Sequence, residues 1–202
     1  MLPLLAFDTG EKYLGKINLY QKNSYYKQQA YAELDWKRFY QSLPAQSIVD
    51  PNSYDLHLLS AAVFFATEKM RESKHVKTLQ FSQQLRDAAV VHTQQMIEKN
   101  FFNHFNPLTP ALHSPEQRMQ LFGVKSSSLA ENVDYTFIVI GSNTNYIQLA
   151  EKIVKDFYDS PPHRKNMLGK EFTHLGCAAI FEPNNKQGAR YVKVTQDYSA
   201  DY

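Results

Sequence analysis

The histidines beside rigid or strongly apolar segments are the residues of this chain that could do chemistry. His163 follows Pro161 and Pro162, which cannot lie inside a helix and therefore place the imidazole on a stiff turn. The apolar run from Leu175 to Ile180 comes next, and such a run is typical of a strand covered on both faces. A titratable imidazole between such a turn and such a strand is a plausible site residue, and a structural hydrogen bond is the alternative interpretation.

Two other histidines and the single cysteine have different surroundings. His104 lies among three phenylalanines in the segment Asn100–Pro107, and burial of these rings would bring it to the edge of the core. His92 lies on the apolar stripe of a helix, so we interpret it as a core histidine that is satisfied by a hydrogen bond. Cys177 has no second cysteine to pair with, and its apolar neighbours favour a small buried side chain over a catalytic thiol.

The composition excludes several classes of protein. A chain of 202 residues suits one domain, or one domain with an extension. The net charge of +2, without a visible basic stripe, argues against a nucleic-acid partner. No segment is long and apolar enough for a transmembrane helix, and the segment Met1–Phe7 is too short for a signal peptide.

The elements that must position these side chains follow from caps, turns and apolar periodicity. Four helices are predicted: Asn52 or Ser53 to about Ser73, one opening at Gln80 or Ser82, Ser114–Phe122, and Asn145–Ser160. Three strands are predicted: Tyr135–Ile140, Thr173–Glu182 and Ala189–Tyr198, the last two joined by the loop Pro183–Gly188. Helices and strands do not alternate regularly, so we expect an α+β layered domain.

The first 50 residues differ from the rest because they are rich in tyrosine, glutamine and lysine. A helix is expected over Tyr25–Leu43, ending before Pro44. Asp50 and Pro51 form a boundary signal, which divides the chain into an N-terminal helical extension (1–50) and a main domain (51–202). The extension could pack on the main domain, or its tyrosines and tryptophan could bind a protein partner.

Five motifs, taken in chain order, resemble those of one known family. They are Phe-Phe-Asn-His104, Ala-Glu131-Asn-Val, Asp-Ser-Pro-Pro-His163-Arg-Lys-Asn-Met-Leu, Leu-Gly176-Cys-Ala and Val-Thr-Gln196-Asp-Tyr. The set resembles the CAP superfamily (cysteine-rich secretory proteins, antigen 5 and pathogenesis-related 1 proteins), and within it the bacterial SCP-like branch. The resemblance covers about residues 54–198. It implies an α-β-α sandwich, with a three-stranded antiparallel sheet between helical layers.

The resemblance also implies a cleft lined by His104, Glu131 and His163. Imidazole nitrogen and carboxylate oxygen are suitable ligands for Zn²⁺ or another divalent metal, with water completing the shell. The second glutamate of the eukaryotic proteins falls in a segment that this chain lacks, and Asp159 could replace it only loosely. His113 and His174 are further candidates at the rim of the cleft. The disulfides of the animal and plant proteins are absent.

Three functions remain open at this point. The first is a non-catalytic binding module of the extracellular space, periplasm or cell envelope, whose cleft holds a divalent metal, a lipid or a peptide. The second is a metal-dependent hydrolase of the peptidase type, with Glu131 as general base, although neither an H-E-x-x-H motif nor a nucleophile elbow is present. The third is a protein-interaction module that binds through its tyrosine-rich N-terminal region, with the His/Glu network serving only the fold.

Overall fold

The computed structural model describes residues 10–14 and 24–200, so the segment Met1–Phe7 lies outside the described residues. Its α-helices are α1 (Gln29–Glu33), α2 (Trp36–Gln41), α3 (Leu43–Gln46), α4 (Leu56–Ser73), α5 (Gln83–Glu98), α6 (Pro115–Leu121), α7 (Tyr146–Asp159) and α8 (Pro161–Met167). Its strands are β1 (Gln80–Phe81), β2 (Leu129–Val139), β3 (His174–Lys186) and β4 (Ala189–Ser199).

Polar residues start the long helices at the predicted positions or close to them. Ser82 accepts a hydrogen bond from the backbone of the first turn of α5, while Ser114 and Asn145 each form a full capping box at α6 and α7. Asp55, rather than Asn52 or Ser53, caps α4. The prolines before His163 end α7 and then occupy the first turn of α8, where a missing N–H is tolerated.

The sheet has four strands of mixed direction in the order β1-β3-β4-β2, so the predicted three-stranded antiparallel sheet is wrong in this detail. The three long strands are antiparallel, as predicted. The added strand, β1, runs parallel to β3, with Gln80 opposite His174 and Phe81 opposite Leu175. A strand of two residues is too short to produce a periodic sequence signal, and this explains the error.

The central strands are longer than their apolar runs. β3 and β4 continue to Lys186 and Ala189, and only Gln187 and Gly188 lie between them. Both of these residues have positive φ, 53° and 77°, as a tight hairpin turn requires. The predicted six-residue loop is therefore wrong. β2 begins at Leu129 rather than Tyr135, because cross-strand pairing with β4 extends through its polar residues.

Two helical layers enclose this sheet, as predicted for a sandwich. Thr195 hydrogen-bonds Thr93 of α5, while the next residue, Gln196, hydrogen-bonds Thr67 of α4. Successive strand residues point to opposite faces, so α5 lies on one face and α4 on the other, where α7 packs beside it. At Gly176, a Cβ atom would lie 2.0 Å from the backbone nitrogen of Arg86, so α5 crosses the sheet where the strand has no side chain.

Within residues 24–50, three short α-helices replace the single predicted helix. The break falls at Leu34, which is extended, and Asp35 caps the following helix by accepting from the backbone of Arg38. The side chain of Phe39 is fully buried and stacks on Phe65 of α4, with 4.6 Å between ring centroids. Residues 24–49 thus contribute to the main core, while the division into domains at residue 50 stays a prediction.

Within residues 10–14 and 24–200, no helix combines the length and the apolar character needed to cross a bilayer.

Candidate functional site

His104 projects from the loop after α5, and three buried groups fix its position. His92 of α5 is a fully buried core histidine, as predicted, and its Nε2 hydrogen-bonds the carbonyl of Asn103 at 2.9 Å. Arg118 of α6 donates to the carbonyl of His104 itself at 2.9 Å. The imidazole Nδ1 lies 2.9 Å from Oε1 of Glu131, and the side chain is 40% exposed. The loop backbone is therefore anchored while one side of the ring faces solvent.

Glu131 lies on β2 with its side chain almost fully buried, and both of its oxygens are occupied. Oε1 receives the hydrogen bond from His104, and Oε2 receives one from the guanidinium of Arg118 at 2.6 Å. Burial acts to raise the pKa of Glu131, whereas the hydrogen bond from His104 and the charge and hydrogen bond of Arg118 act to lower it, and the net result is a lowered pKa. The carboxylate is thus ionised near neutral pH and requires the Nδ1 proton on His104.

His163 lies in the first turn of α8, and its backbone is tied to the strand that carries Glu131. The side-chain amide of Asn132 donates to the carbonyl of His163 at 3.1 Å, and Asn166 bridges to Asn132 at 3.0 Å. The ring packs edge-on against Phe157 of α7. Burial and, secondly, the charge of His104 lower the pKa of His163. The two imidazoles therefore lie within electrostatic range of one another, as the predicted cleft of His104, Glu131 and His163 requires.

Asp159 and His174 lie elsewhere, whereas His113 lies beside the loop of His104, with its ring 5.3 Å from that of Phe105. Asp159 pairs with Lys155 and lines a separate cavity between α4 and α7, so its described contacts include none of the three cleft residues. His113 turns its Nδ1 toward the carbonyl of Asn106, 3.0 Å away. His174, at the start of β3, borders a different cavity of about 870 Å³ beside the beginning of α5.

Two residues that sequence reasoning did not single out complete the floor of the cleft. Arg118 is fully buried and donates to the carbonyls of Leu112, His113 and His104 as well as to Glu131. Asp197 of β4 is also fully buried and is the direct cross-strand partner of Glu131. Both are charged residues in segments that also contain other polar residues, so the sequence does not single them out, and their partners depend on strand register and helix packing.

The three predicted metal ligands do not form a preassembled metal site. No group of three or more histidine, cysteine, aspartate or glutamate side chains in the described part of the chain has an arrangement that could hold a metal ion. Glu131 is held by two donors, one of which is the cation Arg118, and this opposes its use as a ligand. Only the imidazoles of His104 and His163 remain available, so a metal here would be bound by two histidines and water.

The cleft has the chemistry of an acceptor and donor site with an apolar border. Because Nδ1 of His104 is committed to Glu131, its Nε2 on the opposite side of the ring can accept a hydrogen bond or donate a lone pair. Phe102, Phe105 and Leu108 flank His104 in the chain, and each is 43–58% exposed. Exposed large apolar side chains next to polar groups are typical of a binding surface.

Comparison with known proteins agrees with the resemblance seen in the motifs. Residues 64–198 match the model of the CAP, or cysteine-rich secretory protein, family. The protein YkwD of Bacillus subtilis, whose function is uncharacterised, is 34% identical over 114 residues, which are 56% of this chain and 39% of that protein. The chain thus aligns with well under half of this relative.

Solved structures show the same fold at low sequence identity. An extracellular protein with an SCP domain from Bacillus anthracis has a TM-score of 0.54 at 23% identity, over 71% of this chain and 41% of that one. An outer surface protein from Borrelia burgdorferi has a TM-score of 0.53 at 12% identity, over 71% of this chain and 93% of that one.

Proposed function

The chain belongs to the cysteine-rich secretory protein (CAP) family, of the bacterial SCP-like type, and from this we propose that it is a non-catalytic binding module of the extracellular space or cell envelope. Its ligand-binding groups are the imidazoles of His104 and His163. The descriptions of its structural relatives as extracellular and outer-surface proteins support the location.

The observation that carries the proposal is the hydrogen bond between His104 and Glu131. It fixes the tautomer and orientation of a partly exposed imidazole, so that one nitrogen is preset for a ligand. Preorganised polar groups bind more tightly because less conformational freedom is lost on binding. In this proposal, Glu131 has a structural role, because its carboxylate orients the imidazole of His104. The predicted structural network and a binding role for the histidines are therefore compatible.

The ligand class follows from the cleft and its border. Phe102, Phe105 and Leu108 can cover an apolar body, while the two imidazoles bind a polar head. A small lipid or a peptide with a polar end has this combination. A divalent metal is the alternative, held by His104 and His163 with water, and such a two-histidine site would bind it more weakly than a closed four-ligand site.

The hydrolase alternative lacks a supporting observation. Glu131 is a weak general base because its pKa is lowered and its two oxygens already accept hydrogen bonds. A fluorogenic peptide library, tested with and without a chelator, would detect hydrolysis. Turnover that disappears in Glu131→Gln would support the hydrolase alternative.

Calorimetric titration tests the binding proposal. The probes are zinc chloride, a lysophospholipid below its micellar concentration and a library of short peptides, each added to wild type and to the double variant His104→Ala/His163→Ala. We expect at least one probe to lose tenfold or more in affinity. A matched control is His75→Asn, which removes an exposed imidazole and keeps a residue that tolerates the positive φ of 58° at that position. Equal affinities for all probes in wild type and double variant would refute the two imidazoles as ligands.

A further inference from the structure

Two buried carboxyl groups meet beneath His104. Glu131 and Asp197 are directly opposite each other in the antiparallel pairing of β2 and β4, so their side chains leave the sheet on the same face. Their exposures are 6% and 0%, so both carboxyl groups are enclosed in the interior as direct cross-strand neighbours. Two ionised carboxylates at such neighbouring buried positions would repel each other strongly.

Glu131 and Asp197 differ in the number of hydrogen-bond donors that reach their carboxyl groups. Glu131 accepts from His104 and Arg118, whereas neither oxygen of Asp197 receives a hydrogen bond from any residue of the described chain. A buried carboxylate without a donor is among the least favourable groups in a protein. A carboxylic acid at the same place can instead donate to its neighbour, and this removes both the orphaned oxygens and the repulsion.

The balance of charges around the two carboxyl groups also favours a protonated Asp197. The ionisable groups that face the pair are His92 from α5, His104 from its loop and Arg118 from α6. Burial lowers the pKa of His92 to about 4, so this imidazole is neutral at physiological pH. Arg118 is the one permanent cation of this set, and it balances one carboxylate.

We infer that Asp197 is a carboxylic acid in the native protein and donates its proton in a hydrogen bond to Glu131, so that the two carboxyl groups beneath His104 share one proton. Burial and, after it, the charge of Glu131 raise the pKa of Asp197 well above its ordinary value, in agreement with this geometry. Asp197 is thus a positioning residue: it supplies the third donor to the carboxylate that orients His104. The inference rests on the proposed function only where it calls this pair part of a binding site.

Infrared spectroscopy on the ligand-free protein tests the protonation directly. At pH 7, we expect the C=O stretching band of a protonated carboxyl group in wild type, and its loss in Asp197→Asn. The matched control is Asp134→Asn, because burial also raises the pKa of Asp134, to about 6, and its band must be separated from that of Asp197. If wild type and Asp197→Asn have identical spectra in this region at pH 7, Asp197 is ionised and the inference is wrong.

The pH dependence of unfolding provides an independent measurement. Above the ordinary aspartate pKa of 3.8, the unfolded chain releases the proton that native Asp197 keeps, so that unfolding is coupled to proton release. The ratio of the unfolding constants of wild type and Asp197→Asn should therefore rise tenfold per pH unit between pH 5 and pH 7. A ratio that does not change with pH over this range would overturn the inference.

Neither measurement depends on a ligand, so failure of every probe to bind would refute the proposed function and leave this inference standing. If Asp197→Asn does not fold, wild type that carries isotope-labelled aspartate still decides the question. Its protonated band must shift with the label at pH 7, and an unshifted spectrum would show that every native aspartate is ionised.

Discussion

Replacement of Arg118 by methionine should destabilise the protein by about 3–5 kcal/mol, the usual result of breaking a buried ion pair from one side. The guanidinium is fully buried, 2.6 Å from Oε2 of Glu131, and also donates to the carbonyls of Leu112, His113 and His104. Methionine fills much of the volume but supplies no donor. The variant therefore contains a buried carboxylate without its cation, and a loop that has lost the bond to the backbone of His104.

Urea denaturation at pH 7 measures this change, and a double-mutant cycle separates its parts. Glu131→Gln in the Arg118→Met background removes the uncompensated charge, so we expect part of the lost stability to return and a coupling energy of about 2 kcal/mol or more. Arg71→Met is the matched control, because Arg71 is also a fully buried arginine but hydrogen-bonds only backbone carbonyls, those of Lys77, Met167 and Gly169. Its coupling to Glu131→Gln should be close to zero.

The dependence of stability on pH provides a second test of the ion pair between Arg118 and Glu131. Because the pKa of Glu131 is lowered in the native state, its contribution to stability is complete above the ordinary value of 4.5 and is lost as the pH falls through the native pKa. Arg118→Met removes one cause of the lowering, so the loss of stability below pH 4.5 should be smaller in the variant than in wild type. A destabilisation below 1 kcal/mol, or a coupling energy equal to that of the Arg71 control, would refute the role assigned to this ion pair.

Four other substitutions test the packing of the fold and the titration of a buried carboxyl group. Phe39→Ala should lower the free energy of unfolding by about 3–5 kcal/mol because it empties a fully buried site. Leu43→Ala, at a side chain 81% exposed, should change it by less than about 0.5 kcal/mol. Equal effects in urea denaturation would contradict the packing of residues 24–49 into the core. Gly176→Ala should lower the melting temperature markedly, since its Cβ would overlap the backbone of Arg86, and an unchanged melting temperature would exclude this close approach. Asp134→Asn should reduce the loss of stability that wild type shows as pH rises from about 4 through about 6, because native Asp134 keeps its proton longer than the unfolded chain. Parallel profiles would exclude the raised pKa.

The sequence contains enough local information for most helix boundaries and for the layered class. Ser82, Ser114 and Asn145 precede apolar periodic segments, and a cap works through contacts within one turn. β2 was predicted to be too short because Glu131 and Asp134 interrupt its apolar character, although both residues pair with β4. The strand continues through them because cross-strand hydrogen bonds do not depend on side-chain polarity.

The residues of the cleft floor could not be predicted for a related reason. Arg118 reaches Glu131 because α6 packs beside β2, and Asp197 reaches it because β4 pairs with β2 in one particular register. Neither relation has a fixed spacing in the sequence. The surroundings of His163 and His104 in the sequence indicated these two residues, but Glu131 and the grouping of all three were predicted only through the family motifs. The electrostatic effect of His104 on His163 is the sign that folding brings their rings near one another.

The buried and the partly exposed residues of this site have different roles, and this difference determines which substitutions can report on binding. Glu131, Arg118 and Asp197 are buried and satisfy one another, so replacing any of them changes the fold as well as the orientation of His104. The imidazoles of His104 and His163, by contrast, are partly exposed, and neither lies in the apolar core. A loss of binding in a Glu131 variant would therefore be ambiguous. The same loss in the double histidine variant, at unchanged stability, could arise only from the missing rings.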